Sequence, residues 1–99
     1  GAIVSVTEKP TYPASQYAVT GLYIFSADVF DRIKALNRSA RGEFEVTDLL
    51  NQYAEIGLLE HSVVDGFWGD AGTIEGMRDL EKHLAETVAR YDLHPEWPR

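Results

Sequence analysis

The chain has 99 residues, a formal net charge of −7 and no cysteine; 44% of its residues are hydrophobic and 25% charged. A domain this small buries only about 60–68% of the surface its unfolded chain exposes, so one compact core is feasible and two are not, and the ordinary globular composition excludes disorder of the whole chain. Without cysteine there is no disulfide framework and no thiolate chemistry, and the acidic balance repels phosphate backbones, which argues against nucleic acid as a partner.

The elements follow in chain order. "AIVSVTEKP" is β-rich through Ile3, Val4 and Val6 and stops at Pro10. "TYPAS" reads as a turn. "YAVTGLYIFS" is dense in β-branched and aromatic residues and reads as a buried strand, with Gly21 inside it. Ser26 is placed to cap a helix over "ADVFDRIKALN", whose Val29, Phe30, Ile33 and Leu36 share one face. After the turn "RSARGE", Thr47 is the next good N-cap; Val46, Leu49, Leu50, Tyr53 and Ala54 keep the helical period, and Gly57 supplies the stop. "LLEHSVV" is expected to be a third strand, "DGFWGDAG" a glycine-rich loop. Thr73 then caps a last helix with an apolar stripe of Met77, Leu80, Leu84, Val88 and Tyr91, which is expected to pack against a sheet. "DLHPEWPR", residues 92–99, is a terminal tail in which Trp97 docks somewhere.

The order β-β-α-α-β-α predicts a single domain of α/β or α+β class, with helices packed on a partial mixed β-sheet. Three strands are the minimum for an independently stable sheet, and a broader sheet would complete it better. His61, His83 and His94 are scattered without metal-ligand spacing. No signal peptide, lipidation motif or 18-residue apolar run is visible, so the cytoplasm is the default compartment and no membrane partner is expected.

Three polar clusters interrupt the apolar elements, and each has an ordinary reading beside a functional one. Glu8 and Lys9 at the end of the first strand offer a hydroxyl acceptor and a mobile point charge, or only a surface ion pair. Arg41, before Gly42 and Glu43, presents a fork suited to phosphate, or decorates a solvated turn. Asp70 in "GFWGDAGT" has the oxygen donors that Mg²⁺ prefers, or favours the N-terminal end of the last helix. Taken singly, the ordinary reading is the better one for each.

In sequence, the blocks "EKP", "YAVTGLYIFSADVF", "RGEFEVTD" and "GFWGDAGT" resemble the sugar-1-phosphate nucleotidyltransferases over residues 3 to 85, with the glucose-1-phosphate thymidylyltransferases looking nearest. The resemblance implies the C-terminal, sugar-binding portion of a nucleotidyltransferase fold, in an enzyme that joins a nucleoside triphosphate to a sugar 1-phosphate and releases pyrophosphate. It implies that Glu8 binds sugar hydroxyls and that Lys9 and Arg41 hold the sugar phosphate, with Tyr23 reaching it as well. Val19 would touch the sugar through its backbone, Gly21 would leave room nearby, and Asp70 would be one of two aspartates holding Mg²⁺. Glu43 and Glu45 would shape the Arg41 loop. The chain shows no basic glycine-rich loop for a triphosphate and no aspartate ahead of "EKP" for the metal. The expectation is therefore a chain inactive by itself, lacking an N-terminal half, whose open sheet edge makes it a homo-oligomer. The alternative is a non-catalytic binding or oligomerisation module built on the same scaffold.

Overall fold

A computed structural model describes residues 1–91 of the chain. The expected tail at 92–99, with Trp97 and His94, lies outside the described residues, as does the side chain of Tyr91. Three helices form: α1 at Val29–Ala35, α2 at Val46–Glu55 and α3 at Ile74–Tyr91. The chain divides into two compact units, Gly1–Ser62 with α1 and α2, and Val63–Arg99 with α3.

The expected β-β-α-α-β-α order and its mixed sheet do not form. Among the described residues there is no strand; the segments "AIVSVT", "YAVTGLYIF" and "LLEHSVV" lie outside any ladder. The physical reason lies in what a β-pattern records. Branched and aromatic side chains fit a pleated, half-buried surface, but a strand exists only when its N–H and C=O groups meet a neighbouring backbone. Here no two of these segments pair. The second is not buried either: Leu22 is 83% and Ile24 94% exposed. No atom lies within 4 Å of where a Cβ on Gly21 would stand, so no close backbone approach explains that glycine.

The helices follow their sequence signals more closely. In α2, Val46, Leu49, Leu50 and Tyr53 fall at i, i+3, i+4 and i+7, and the last three are buried. Leu49 and Tyr53 pack with Val29 of α1, and Phe25, Ile33, Leu36 and Leu59 close around them half-buried. Phe30, one position round from Val29, points away and is exposed. The Phe25 and Tyr53 rings stack with centroids 5.7 Å apart. Beside them Ser26, Arg32 and Tyr53 all donate to the Asp28 carboxylate, Arg32 at 2.6 Å and Tyr53 at 3.3 Å. The Arg32 guanidinium also lies over the Tyr53 ring, 4.5 Å from its centroid. These bonds, that from Ser26 foremost and then that from Arg32, hold the Asp28 carboxyl below its ordinary pKa. Ser26 thus ties the entry to α1 through Asp28 and does not cap the helix by its side chain, as the sequence had suggested.

The stop of α2 matches its prediction. Gly57 takes φ +71°, its N–H donates to Ala54 O at 3.0 Å, and the Leu58 N–H reaches back to Tyr53 O at 2.9 Å. This pair of bonds is a Schellman motif, and the left-handed residue it requires is the glycine. The start of α2 differs from its prediction. The capping position is Glu45, and the Thr47 hydroxyl looks elsewhere.

In the second unit Thr73 caps α3 as expected, its Oγ1 accepting the Gly76 N–H at 3.0 Å. The α3 stripe meets no sheet: Met77, Leu84 and Val88 are exposed. Phe67 stacks on His83 with centroids 3.8 Å apart. The loop carrying Asp70 runs so close to the helix that a Cβ on Gly76 would stand 1.8 Å from the Asp70 carbonyl oxygen.

Candidate functional site

The turn before α2 is built locally. The Gly42 N–H donates to Ser39 O at 2.8 Å, the Ser39 N–H donates to Glu43 O at 2.7 Å, and Gly42 sits at φ +78°, a conformation glycine adopts without a Cβ clash. Arg38 closes the turn from outside, donating to Gly42 O at 2.6 Å while its guanidinium lies over the Phe44 ring. The turn throws Arg41 toward the first turn of α2. There its Nη2 meets both oxygens of Glu45, at 2.8 and 3.0 Å, with Glu43 further off at 3.8 Å. The hydrogen bond to Glu45 raises the Arg41 pKa above its ordinary value, and the same bond, with help from Ser39, lowers that of Glu45. Arg41 keeps 68% of its side chain exposed while Glu45 keeps 25%. The acid is therefore the more enclosed member of the pair and the cation the more exposed one.

Glu8 and Lys9 arrive from the other side. The Thr47 hydroxyl donates to Glu8 Oε2 at 3.0 Å. Lys9 adopts φ +39°, the one positive φ of a non-glycine residue among those described. A side chain in that region carries strain, which persists where the surroundings over-determine the backbone. The result is a cleft of about 530 Å³ whose charged lining is Glu8, Lys9, Arg41, Glu45 and Asp48, with Thr47 and Asn51 beside them. Two cations separated by 32 positions in sequence thus line one cleft with three carboxylates, Glu8, Glu45 and Asp48.

The other residues singled out from the sequence do not join them. Val19, Gly21 and Tyr23 stand on the exposed extended segment and do not line the cleft; Tyr23 stacks on Phe25 at 6.1 Å. Asp70 belongs to the other unit, where its Oδ1 accepts the Gly72 N–H at 2.8 Å. Among the described residues no three histidine, aspartate or glutamate side chains gather as metal ligands. A lone carboxylate whose oxygen already accepts a backbone N–H does not fit a Mg²⁺ site, which needs several oxygen donors in near-octahedral array. Among the cleft residues that sequence reasoning missed are Thr47 and Asn51. Their polar partners lie 39 and 45 positions away, so no local pattern could have flagged them.

The chain belongs to the nucleotidyl transferase family, whose profile matches residues 1–87. Among characterised relatives it is similar to glucose-1-phosphate thymidylyltransferase of Streptomyces griseus, with 32% identity over 89% of this chain and 25% of that protein. The glucose-1-phosphate thymidylyltransferase of Mycobacterium tuberculosis (strain ATCC 25618 / H37Rv) is 40% identical over 99% of this chain and 35% of its own length. The low-salt glycan biosynthesis nucleotidyltransferase Agl11 of Haloferax volcanii is 37% identical over 87% of this chain and 24% of that protein. The chain thus spans about a quarter to a third of the length of these relatives. No solved structure matches it significantly. No helix among the described residues is long and apolar enough to cross a membrane.

Proposed function

We propose that this chain supplies the sugar-phosphate-binding part of a sugar-1-phosphate nucleotidyltransferase, with glucose 1-phosphate as the favoured substrate and a thymidylyl group as the one transferred. The observation that carries the reading is the convergence of Lys9 and Arg41 on the cleft that Glu8 borders. A phosphate leaves water at small cost only against at least two cations, and in this reading Arg41 exchanges its present partner, Glu45, for the phosphate. In this reading Lys9 and Arg41 hold the sugar phosphate and Glu8 accepts hydrogen bonds from sugar hydroxyls. Val19, Gly21 and Tyr23 complete the sugar's surroundings once the extended segment is brought against it. The residues act by position and charge, as phosphoryl and nucleotidyl transfer ask of a protein, since in-line displacement needs little covalent help. Asp70 by itself does not make a metal site, so no step is assigned to it.

The test is a titration of the 99-residue chain with glucose 1-phosphate and with inorganic phosphate at low salt, followed by the amide resonances of Lys9 and Arg41. Saturable shifts at both, lost in Arg41→Ala, are the expected result. Shifts that never saturate, or that survive Arg41→Ala unchanged, would remove the reading. The same chain mixed with glucose 1-phosphate, a nucleoside triphosphate and Mg²⁺ is expected to release no pyrophosphate above a buffer control, because its sequence offers no basic glycine-rich loop of the kind that cradles a triphosphate.

The exposure of Leu22 and Ile24 favours a second component, self-association through the unpaired extended segments. Light scattering at high micromolar concentration is expected to report a dimer or larger; monomer throughout would count against it.

A further inference from the structure

The first segment of the chain makes no sheet, yet Val6 is held by a pair of hydrogen bonds of the kind a neighbouring strand would give. The Val6 N–H donates to Asn51 Oδ1 at 2.7 Å, and Asn51 Nδ2 donates to Val6 O at 2.9 Å. A side-chain carboxamide carries the same donor and acceptor as a peptide group, so one asparagine can stand in for one residue of a partner strand. Two residues further on, Glu8 is tied to Thr47. Asn51 and Thr47 are four apart in α2 and so lie on one face. Four residues of helix rise about 6 Å, and two residues of extended chain span about 6.6 Å. The two spacings agree, and the extended chain therefore runs antiparallel along the helix in register, Val6 on Asn51 and Glu8 on Thr47. The next residue, Lys9, is carried to the end of α2 where Glu45 and Arg41 stand.

We infer that Asn51 is a positioning residue for the anion site. By holding Val6 against α2 it sets the register of the extended chain and so delivers Lys9 to the same cleft as Arg41. Its carboxamide is taken up by the Val6 backbone, so it acts through Lys9. The register dictates the residue type. A carboxylate in place of the carboxamide would keep the acceptor for the Val6 N–H but turn an oxygen toward the Val6 carbonyl, and a hydroxyl would be too short to make both bonds.

This inference rests on the phosphate-binding reading above, and the experiment separates the two. Phosphate affinity is measured by amide shifts for the 99-residue chain, for Asn51→Leu, for Lys9→Met and for the double variant. Leucine keeps the helix and removes both bonds. Asn51→Leu is expected to weaken phosphate binding about fivefold, the scale of one net hydrogen bond, because the chain that carries Lys9 is no longer held against α2. Lys9→Met is expected to weaken it by a similar factor. The double variant should be little worse than either single one, because Asn51 works through Lys9 and the two losses do not add. A merely structural asparagine would give additive losses. A parent chain that does not bind phosphate overturns the anion reading and the role of the clamp with it. A parent chain that binds, with Asn51→Leu within twofold of it or with additive losses, overturns the clamp alone. One measurement needs no variant: the Val6 amide should exchange with solvent at least tenfold more slowly than that of Val4, which is exposed. Equal exchange at the two positions would overturn the inference even if Asn51→Leu failed to fold.

Discussion

Leu49 is where the stability of the first unit is most open to a single change. Its side chain is 5% exposed and packs with Val29 and Tyr53, and the buried core contains only one residue more, Leu50. Removing a buried leucine to alanine costs about 2–5 kcal/mol, the lower end applying where the surroundings can collapse into the gap. Here the neighbours Phe25, Ile33, Leu36 and Leu59 are only half-buried, so about 2–3 kcal/mol is the appropriate figure. A unit of this length holds about 3–9 kcal/mol in all at ordinary values per residue. With so few buried side chains, the low end of that range applies here. Leu49→Ala should therefore take most of the unit's stability, shifting the urea midpoint by about 2 M at a slope near 1 kcal/mol/M, or leaving α2 melted in buffer. The assay is far-UV circular dichroism in urea, with the amide resonances of α2 followed in parallel. The matched control is Ile24→Ala, which at 94% exposure should change stability by no more than about 0.5 kcal/mol. The reasoning fails if Leu49→Ala leaves the midpoint where it was, or if Ile24→Ala costs as much as Leu49→Ala.

Three further outcomes follow from the same structure. Glu45→Gln should tighten phosphate binding two- to threefold at low salt, on the scale of an exposed ion pair, because Glu45 competes with the anion for the Arg41 fork; weaker binding in a titration would show that Glu45 orients the arginine instead. Gly76→Ala, which in an open helix would add up to about 1 kcal/mol of stability, should here lower the melting midpoint of α3 and move the amide resonances of Asp70 to Thr73, since the new methyl meets the Asp70 carbonyl; a raised midpoint would contradict the close approach. Asp28 and Glu45 both have folded pKa values below their ordinary 3.8 and 4.5. The stability they contribute is present above those ordinary values and lost as pH falls through the lower folded ones. The helical signal should thus hold from pH 7 to about 5 as far as these groups are concerned and decline below about 4, with a shallower decline in Asp28→Asn measured by circular dichroism.

What the sequence disclosed and what it hid divide along the range of the interactions involved. The stop at Gly57 and the cap at Thr73 are settled within a few residues, and both were legible. The periods of α1 and α2 were legible for the same reason, though Phe30 sits at the margin of its face and faces outward. Thr47 was misread as a cap because its hydroxyl answers to Glu8, far back in the chain. The strands were misread because β-propensity reports how side chains sit on a pleated surface, and says nothing of whether a second backbone is there to complete it. In the cleft, Lys9 and Arg41 came from motif resemblance and not from pattern. Asn51 was invisible, since an asparagine on a helix face is ordinarily solvated and its partner is a backbone unit 45 positions away.

The left-handed backbone at Lys9 limits which residues can replace it. The residues that reach this region at least cost are glycine, asparagine and aspartate, and none of them is a cation. Arginine would keep the charge and meet the same steric penalty as lysine. Position 9 therefore has no neighbour in sequence space that relaxes the chain and preserves its electrostatics together: every single step trades one for the other. If Lys9 holds a phosphate as proposed, a lineage that gave up that ligand would be expected to drift toward glycine or asparagine at this position.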